Sequence, residues 1–232
     1  MTEDMAAPVV AVEHRLTRII DHLADRFDGV FSRETITACV EESYELLAAN
    51  SKVTGFLPVL TEKFARERLA AVAKVDGLLP PAVPEVLFLC VHNAGRSQMA
   101  AALMEQLSHG RVHVRSAGSQ PRGEIDDTVR STMAEVGIEL DEAFPKPMTD
   151  DVVRASDVIV TMGCGDACPV YPGKRYVDWD LPDPTGLSPQ EIGAIRNEIT
   201  NRVRTLLEEL RADQGAVGSP LTETKNMEHD RR

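Results

Sequence analysis

The chain has 232 residues, a formal net charge of −12 and 43% hydrophobic residues. That length exceeds one average domain, so one mid-sized domain beside a small one is the natural expectation. The acidic balance argues against nucleic acid or an anionic membrane surface as a general partner, so any anionic substrate must be held locally.

No stretch is apolar and long enough to span a bilayer, and Met1-Thr-Glu-Asp lacks the basic start of a signal peptide; both point to a cytoplasmic protein. Four cysteines in a chain of this size are no disulfide scaffold. In a reducing compartment such cysteines are more often catalytic or metal-binding.

Residues 1 to 8 are polar. Val12, Leu16, Ile19, Ile20 and Leu23 then form a helical stripe that ends near Phe27-Asp28-Gly29. A second helix is predicted from the N-cap Ser32 to Asn50, with Ile36, Val40, Tyr44 and Leu47 on one face and Cys39 beside them as an ordinary core or surface cysteine. The third begins around Pro58 and carries Leu60, Phe64, Leu69 and Val72. Residues 1–76 are therefore expected to form a small three-helix bundle. The prolines and glycine of 77–84 read as a linker, followed by a domain over 85–212 and a disordered tail over 213–232.

Past the linker the pattern becomes βα. Val86 to Val91 reads as a buried strand and Ser97 onward as a helix through Met99, Leu103, Met104 and Leu107. Between them lies Cys90-Val91-His92-Asn93-Ala94-Gly95-Arg96-Ser97. A strand, tight loop and helix start in this order make an oxyanion cradle. Backbone N–H groups point inward over the positive end of the helix, Gly95 permits a close turn, and the Arg96 fork can clamp two oxygens of a tetrahedral anion such as phosphate or arsenate. The same field favours a thiolate, so Cys90 is expected to be nucleophilic at neutral pH.

Further strands are predicted over Arg111 to Ser116, Asp157 to Met162 and Lys174 to Trp179, with helices over Asp126 to Val136, around Asp150 to Arg154, and from the capping box Ser188-Pro-Gln-Glu191 to about Arg211. Alternating strands and helices predict an α/β domain with a four-stranded parallel sheet. Three features follow strands, where open α/β sheets bind ligands. Ser116-Ala-Gly118 either lines the cradle or is a plain turn. Cys164-Gly-Asp-Ala-Cys168 follows the third strand. A redox pair, a zinc site and purely structural cysteines all remain open, and the redox pair is favoured because loop thiols beside a thiolate cradle can attack whatever Cys90 has bound. Asp183-Pro184 follows the fourth strand, and Asp183 is the leading acid/base with Asp180 as its competitor.

Taken together, Cys90 to Ala100, Ser116-Ala-Gly118, Cys164-Gly-Asp-Ala-Cys168-Pro and Asp183-Pro184 resemble the arsenate reductases built on the low-molecular-weight tyrosine-phosphatase fold. The resemblance covers roughly residues 85 to 210. It implies Cys90 as nucleophile, Asn93 as loop organiser, Arg96 as oxyanion clamp, Ser97 as donor to the thiolate, Asp183 as acid/base, and Cys164 with Cys168 as a redox pair. The loop 91–97 would bind the oxyanion. Ala101 stands where many relatives have a glutamate that helps to bind potassium, so no metal is expected. Gly95 replaces the second loop cysteine usual in the phosphatases, and Thr185 replaces the aromatic residue that tends to follow their Asp-Pro. A helical N-terminal extension resembles that of some actinobacterial-type relatives.

The resemblance implies reduction of arsenate to arsenite through Cys90, Cys164 and Cys168, with no bound cofactor and with thioredoxin as the external reductant. The rivals are a low-molecular-weight tyrosine phosphatase, a reductase that uses mycothiol or glutathione, and a non-enzymatic arsenic-binding or redox-sensing module.

Overall fold

A computed structural model describes residues 6–49, 55–79, 83–163 and 170–217. Three helices lead the chain: α1 (Ala6–Arg26), α2 (Arg33–Ala48) and α3 (Leu57–Val75). Ser32 caps α2 by accepting the N–H of Thr35, and Pro58 sits in the first turn of α3, where its missing N–H costs nothing. Ile19, Ile20, Leu23 and Phe27 of the first helix pack on Ile36 and Val40 of the second and on Ala65 and Leu69 of the third. Cys39 is half-buried beside this cluster, and burial pushes its thiol up from the ordinary value.

After residue 84 strands and helices alternate: β1 (Glu85–Cys90), α4 (Arg96–Ser108), β2 (His113–Gly118), α5 (Asp127–Ala134), α6 (Asp150–Ala155), β3 (Val158–Met162), β4 (Arg175–Asp178) and α7 (Pro189–Val217). The strands form one parallel sheet in the order β2-β1-β3-β4. Most boundaries shift by one or two residues from the sequence reading, and two differences stand out. The second strand is His113–Gly118 rather than Arg111 to Ser116, because His109 and Gly110 both take positive φ and the Arg111 N–H turns back to the Ser108 carbonyl. The last helix runs to Val217, so residues 213–217, expected in the tail, are helical; 218–232 lie outside the described residues. The predicted capping box is present, with Ser188 N–H donating to Glu191 Oε2 at 2.9 Å and Glu191 N–H to Ser188 Oγ at 3.4 Å.

A parallel sheet must be covered on both faces, because neither face of its apolar strands can be left to water. Val86, Phe88 and Cys90 point to one side, against Met99 and Leu103 of α4, Val129 and Met133 of α5, and Ile195, Ile199 and Val203 of α7. Leu87 and Leu89 point to the other, where they meet Val152 and Val153 of α6 together with Ala71 of α3. The third helix thus faces its two companions with one side and the sheet with another. Arg68 reinforces this docking. Its buried guanidinium reaches Asp151 at 2.8 Å, Glu42 at 2.8 Å and Ser43 Oγ at 3.2 Å, which ties α2 and α3 to the start of α6. No helix among the described residues is long and apolar enough to cross a membrane.

At the foot of β1, away from the cradle, Glu85 is buried between His113 and Arg115 of β2, with Lys74 of α3 at 3.8 Å. Burial alone raises a carboxyl, but the hydrogen bond from His113 and the charges of Arg115 and Lys74 outweigh it and bring Glu85 from 4.5 to about 2. A carboxyl depressed in the folded state adds stability above its unfolded value and loses it as pH falls toward its folded value. Glu85→Gln is therefore expected to cost on the order of 3 kcal/mol at pH 7. That difference should shrink between pH 4.5 and about 2 in denaturant unfolding curves. A difference independent of pH would show that shape, not charge, is what Glu85 contributes.

Candidate active site

β1 has neighbours on both sides, and the chain returns to opposite sides of it to form β2 and β3, so the crevice at its carboxyl end is a topological switch point. Cys90 is the last residue of this strand, paired with Gly118 on one side and Met162 on the other, and is almost fully buried. The loop 91–95 then curls over it to the first residue of α4, Arg96.

Asn93 closes the loop. It takes a left-handed conformation, φ 51°, which asparagine tolerates better than most side chains, and this turns its backbone N–H toward Cys90 Sγ at 3.2 Å. Ser97, the second residue of the helix, holds its Oγ 3.0 Å from the same sulfur. The proton on this last contact can be assigned. Asn93 Oδ1 is contacted at 3.0 Å by the backbone N–H of Lys146, which can only donate, so the atom it meets must be the oxygen. Asn93 Nδ2 is then the atom that donates to Ser97 Oγ at 2.8 Å. With its oxygen accepting from Asn93, Ser97 has its own hydroxyl proton free for the sulfur. Gln98 Nε2 completes the frame by donating to the Asn93 carbonyl and Oδ1, both at 3.0 Å, and to the Phe144 carbonyl at 2.9 Å. Asn93, Ser97 and Gln98 are all buried.

Arg96 lies across the mouth of the loop. Its Nη2 donates to Asp183 Oδ2 at 2.9 Å and its Nη1 to the Leu181 carbonyl at 3.2 Å. Asp183 also accepts the Thr185 N–H at 2.9 Å. Burial pushes the Asp183 carboxyl up, but hydrogen bonds from Thr185 and the charges of Arg96 and His92 outweigh it and hold it below its ordinary value. The carboxylate is thus ionised at neutral pH. Asp180 makes no such contact with Arg96; Asp183 is the acid that the fold brings to the guanidinium.

Three glycines let backbone close on this site. A Cβ on Gly95 would stand 2.6 Å from Pro184 Cγ, so Gly95 is needed for the approach of the Asp-Pro loop. A Cβ on Gly118 would meet the Val91 carbonyl at 2.8 Å, so the Ser116-Ala-Gly118 turn backs the cradle through its glycine. Gly163, with φ 75°, passes Arg96 Nη1 so closely that a Cβ would lie 3.1 Å from it. Cys164 and Cys168, expected as a redox pair, lie outside the described residues.

The cradle opens on a cavity of about 50 Å³ lined by Cys90, His92, Ala94, Gly95, Arg96, Asp126, Val129, Asp183, Pro184 and Thr185. Pockets for drug-sized molecules run to roughly 300–1,000 Å³. A space of that size suits a small tetrahedral oxyanion rather than a drug-sized molecule. No group of three or more His, Cys, Asp or Glu among the described residues is arranged to hold a metal ion. Three residues of the site were not foreseen as functional. Gln98 stood in the motif as one more helix residue, and Phe144 and Lys146 carry no local signal because they come from a segment about fifty residues further on.

Comparison with known proteins agrees with this geometry. Residues 85–216 match the family model for low molecular weight phosphotyrosine protein phosphatase, and residues 16–73 match a protein-tyrosine-phosphatase-like N-terminal domain. The structure of a thioredoxin-dependent arsenate reductase from Corynebacterium glutamicum is similar with a TM-score of 0.77 and 48% identity over 86% of this chain and 97% of that one. That coverage takes in the N-terminal helices. An arsenate reductase of Brevibacillus brevis is 34% identical over 53% of this chain and 93% of its own length. A glutaredoxin arsenate reductase of Synechocystis is 30% identical over 53% of this chain and 95% of its own.

Proposed function

This chain belongs to the low-molecular-weight phosphotyrosine protein phosphatase family, whose model matches residues 85–216, and on that premise we propose that it reduces arsenate to arsenite with electrons from thioredoxin. The observation that carries the reading is the run of chain after β3. Met162 pairs with Cys90, Gly163 lies against Arg96, and the next residue in sequence is Cys164. A phosphatase has no use for a second thiol there; a reductase needs one.

In the proposed reaction the Cys90 thiolate, steadied by Ser97 and the Asn93 N–H, attacks arsenate held by the loop 91–97 and Arg96. Asp183 is ionised while the cradle is empty, but a dianionic substrate beside it disfavours a second negative charge, so the carboxyl takes up a proton. It passes that proton to the departing oxygen, which leaves as water. Cys164 then attacks Cys90 Sγ. The disulfide forms as the S–As electron pair stays with arsenic, which departs as arsenite, two electrons richer. Cys168 attacks Cys164, frees the Cys90 thiolate and leaves a Cys164–Cys168 disulfide for an external dithiol to reduce. No resident metal or cofactor is needed. The 48% identity to a thioredoxin-dependent enzyme supports thioredoxin as that dithiol.

The test is arsenite production by the purified protein with thioredoxin and its reductase, with mycothiol, with glutathione or with no reductant, beside hydrolysis of an aryl phosphate. Turnover with thioredoxin alone supports the reading. Turnover only with a small thiol would reassign the reductant, and phosphate-ester hydrolysis without arsenite release would make the protein a phosphatase. Asp183→Asn is expected to lower kcat by about 10²-fold or more, because the leaving oxygen loses its proton donor. The KM for arsenate should fall or hold, since the residue that competes for Arg96 has lost its charge. A raised KM with unchanged kcat would make Asp183 a binding residue only.

A further inference from the structure

The polarity of the hydrogen bonds around Cys90 rests on two donors to Asn93 Oδ1, the Lys146 N–H and Gln98 Nε2, and the segment Phe144–Lys146 touches both: it carries the first and accepts from the second through the Phe144 carbonyl. This segment has two anchors in the N-terminal helices. Phe144 is buried among Leu47, Leu57 and Phe64 of α2 and α3. Lys146 Nζ donates to Glu67 Oε1 at 2.7 Å and to Oε2 at 2.6 Å, and Glu67 belongs to α3. The two side chains are only 12% and 29% exposed, so their attraction is screened far less than that of a surface pair. Glu67 is itself set in place, because its carbonyl accepts from Arg115 of β2 at 2.8 Å. Between the anchors the segment presents the Phe144 carbonyl to Gln98 and the Lys146 N–H to Asn93 Oδ1.

We propose that Glu67 and Lys146 are positioning residues through which the N-terminal helices orient Asn93, and through Asn93 and Ser97 the proton aimed at Cys90. Without the Glu67 carboxylate the Lys146 side chain loses its anchor and the segment relaxes away from Asn93. The Gln98 amide loses the Phe144 carbonyl at the same time, so both donors that hold Asn93 Oδ1 are loosened and the Asn93 amide can turn over to present its oxygen to Ser97. The hydroxyl proton follows that oxygen, and the sulfur loses a donor. Anion binding by Arg96 and the loop N–H groups is not part of this chain, so the chemical step suffers more than substrate binding. The helical layer is on this view a part of the active site.

The structure supplies its own control. Lys63 of α3 pairs with Glu142 at 2.7 Å, joining the same helix to the same loop, but Glu142 is 87% exposed and has no contact with Asn93. The experiment compares the full chain with Glu67→Gln, Lys146→Met, Glu67→Asp and Glu142→Gln. It reads alkylation of Cys90 by iodoacetamide against pH, by peptide mass mapping, together with kcat, KM and thermal stability. Glu67→Gln and Lys146→Met are each expected to move the alkylation profile to higher pH and to lower kcat about tenfold, with a smaller change in KM. Glu67→Asp should recover most of the loss, and Glu142→Gln should match the unmodified chain. The inference is overturned if Glu67→Gln lowers thermal stability but leaves the alkylation profile in place, or if Glu142→Gln shifts it equally. It rests on Cys90 as the nucleophile. That reading fails separately, in the unmodified chain, if iodoacetamide does not prefer Cys90 to Cys39.

Discussion

Cys90→Ser is expected to bind oxyanion as well as the unmodified protein and to lose both arsenate reduction and any phosphate-ester hydrolysis. In the proposed reaction the anion is held by the loop N–H donors and the Arg96 fork, and none of these belongs to the Cys90 side chain. The nucleophile is a different matter. A serine hydroxyl ionises far above neutral pH, and neither the helix terminus nor two donated hydrogen bonds can close that gap, whereas thiols as a class ionise far closer to neutrality. The loss should be at least about 10³-fold in turnover, as for other enzymes stripped of their nucleophile. Titration calorimetry with inorganic phosphate measures the retained binding and arsenite release the lost chemistry. Turnover within tenfold of the unmodified enzyme would remove Cys90 from the mechanism.

Cys164→Ser and Cys168→Ser should fail in different ways, and the difference separates a relay from a simple phosphatase. If Cys164 resolves the arsenate adduct, its replacement abolishes reduction by the intramolecular route and leaves slow ester hydrolysis at Cys90 nearly untouched. Replacing Cys168 leaves the first disulfide able to form and nothing inside the protein to move it outward. One equivalent of arsenite is then released, and a Cys90–Cys164 disulfide accumulates that peptide mapping detects after arsenate is added without reductant. The spacer Gly165-Asp166-Ala167 is short, so passing the disulfide outward needs the two cysteines to come within bridging range across three residues. Multiple turnovers of Cys168→Ser with thioredoxin would show that reductant reaches the inner disulfide or the adduct directly.

The order of elements, the parallel sheet and the cradle are legible in the sequence, the cradle for a local reason. Cys90, Asn93, Arg96 and Ser97 lie within one strand-to-helix turn, so their contacts are set by local backbone geometry, and residue type and spacing carry the information. The caps of α2 and α7 were legible on the same ground. The strand boundaries were less so. A two-residue error at β2 arose because an αL histidine and a glycine extended the preceding turn, and single-sequence alternation does not see a turn of that length.

The sequence by itself therefore determined the chemistry: a cysteine and an arginine around an oxyanion loop, an Asp-Pro after the last strand and two further cysteines after β3. Only the tertiary structure decided which acid meets Arg96, what Gly95 makes room for, and where the N-terminal helices go. Amphipathic stripes state that a helix face is buried but not against what, and α3 buries one side on α1 and α2 and another on the sheet. Glu67, Gln98 and Lys146 are polar residues that look like solvent-facing ones in a linear chain. Their contacts with Asn93 and with each other join parts of the sequence up to 79 residues apart, and such contacts exist only once the sheet has drawn β1, the loop before α6 and α3 together.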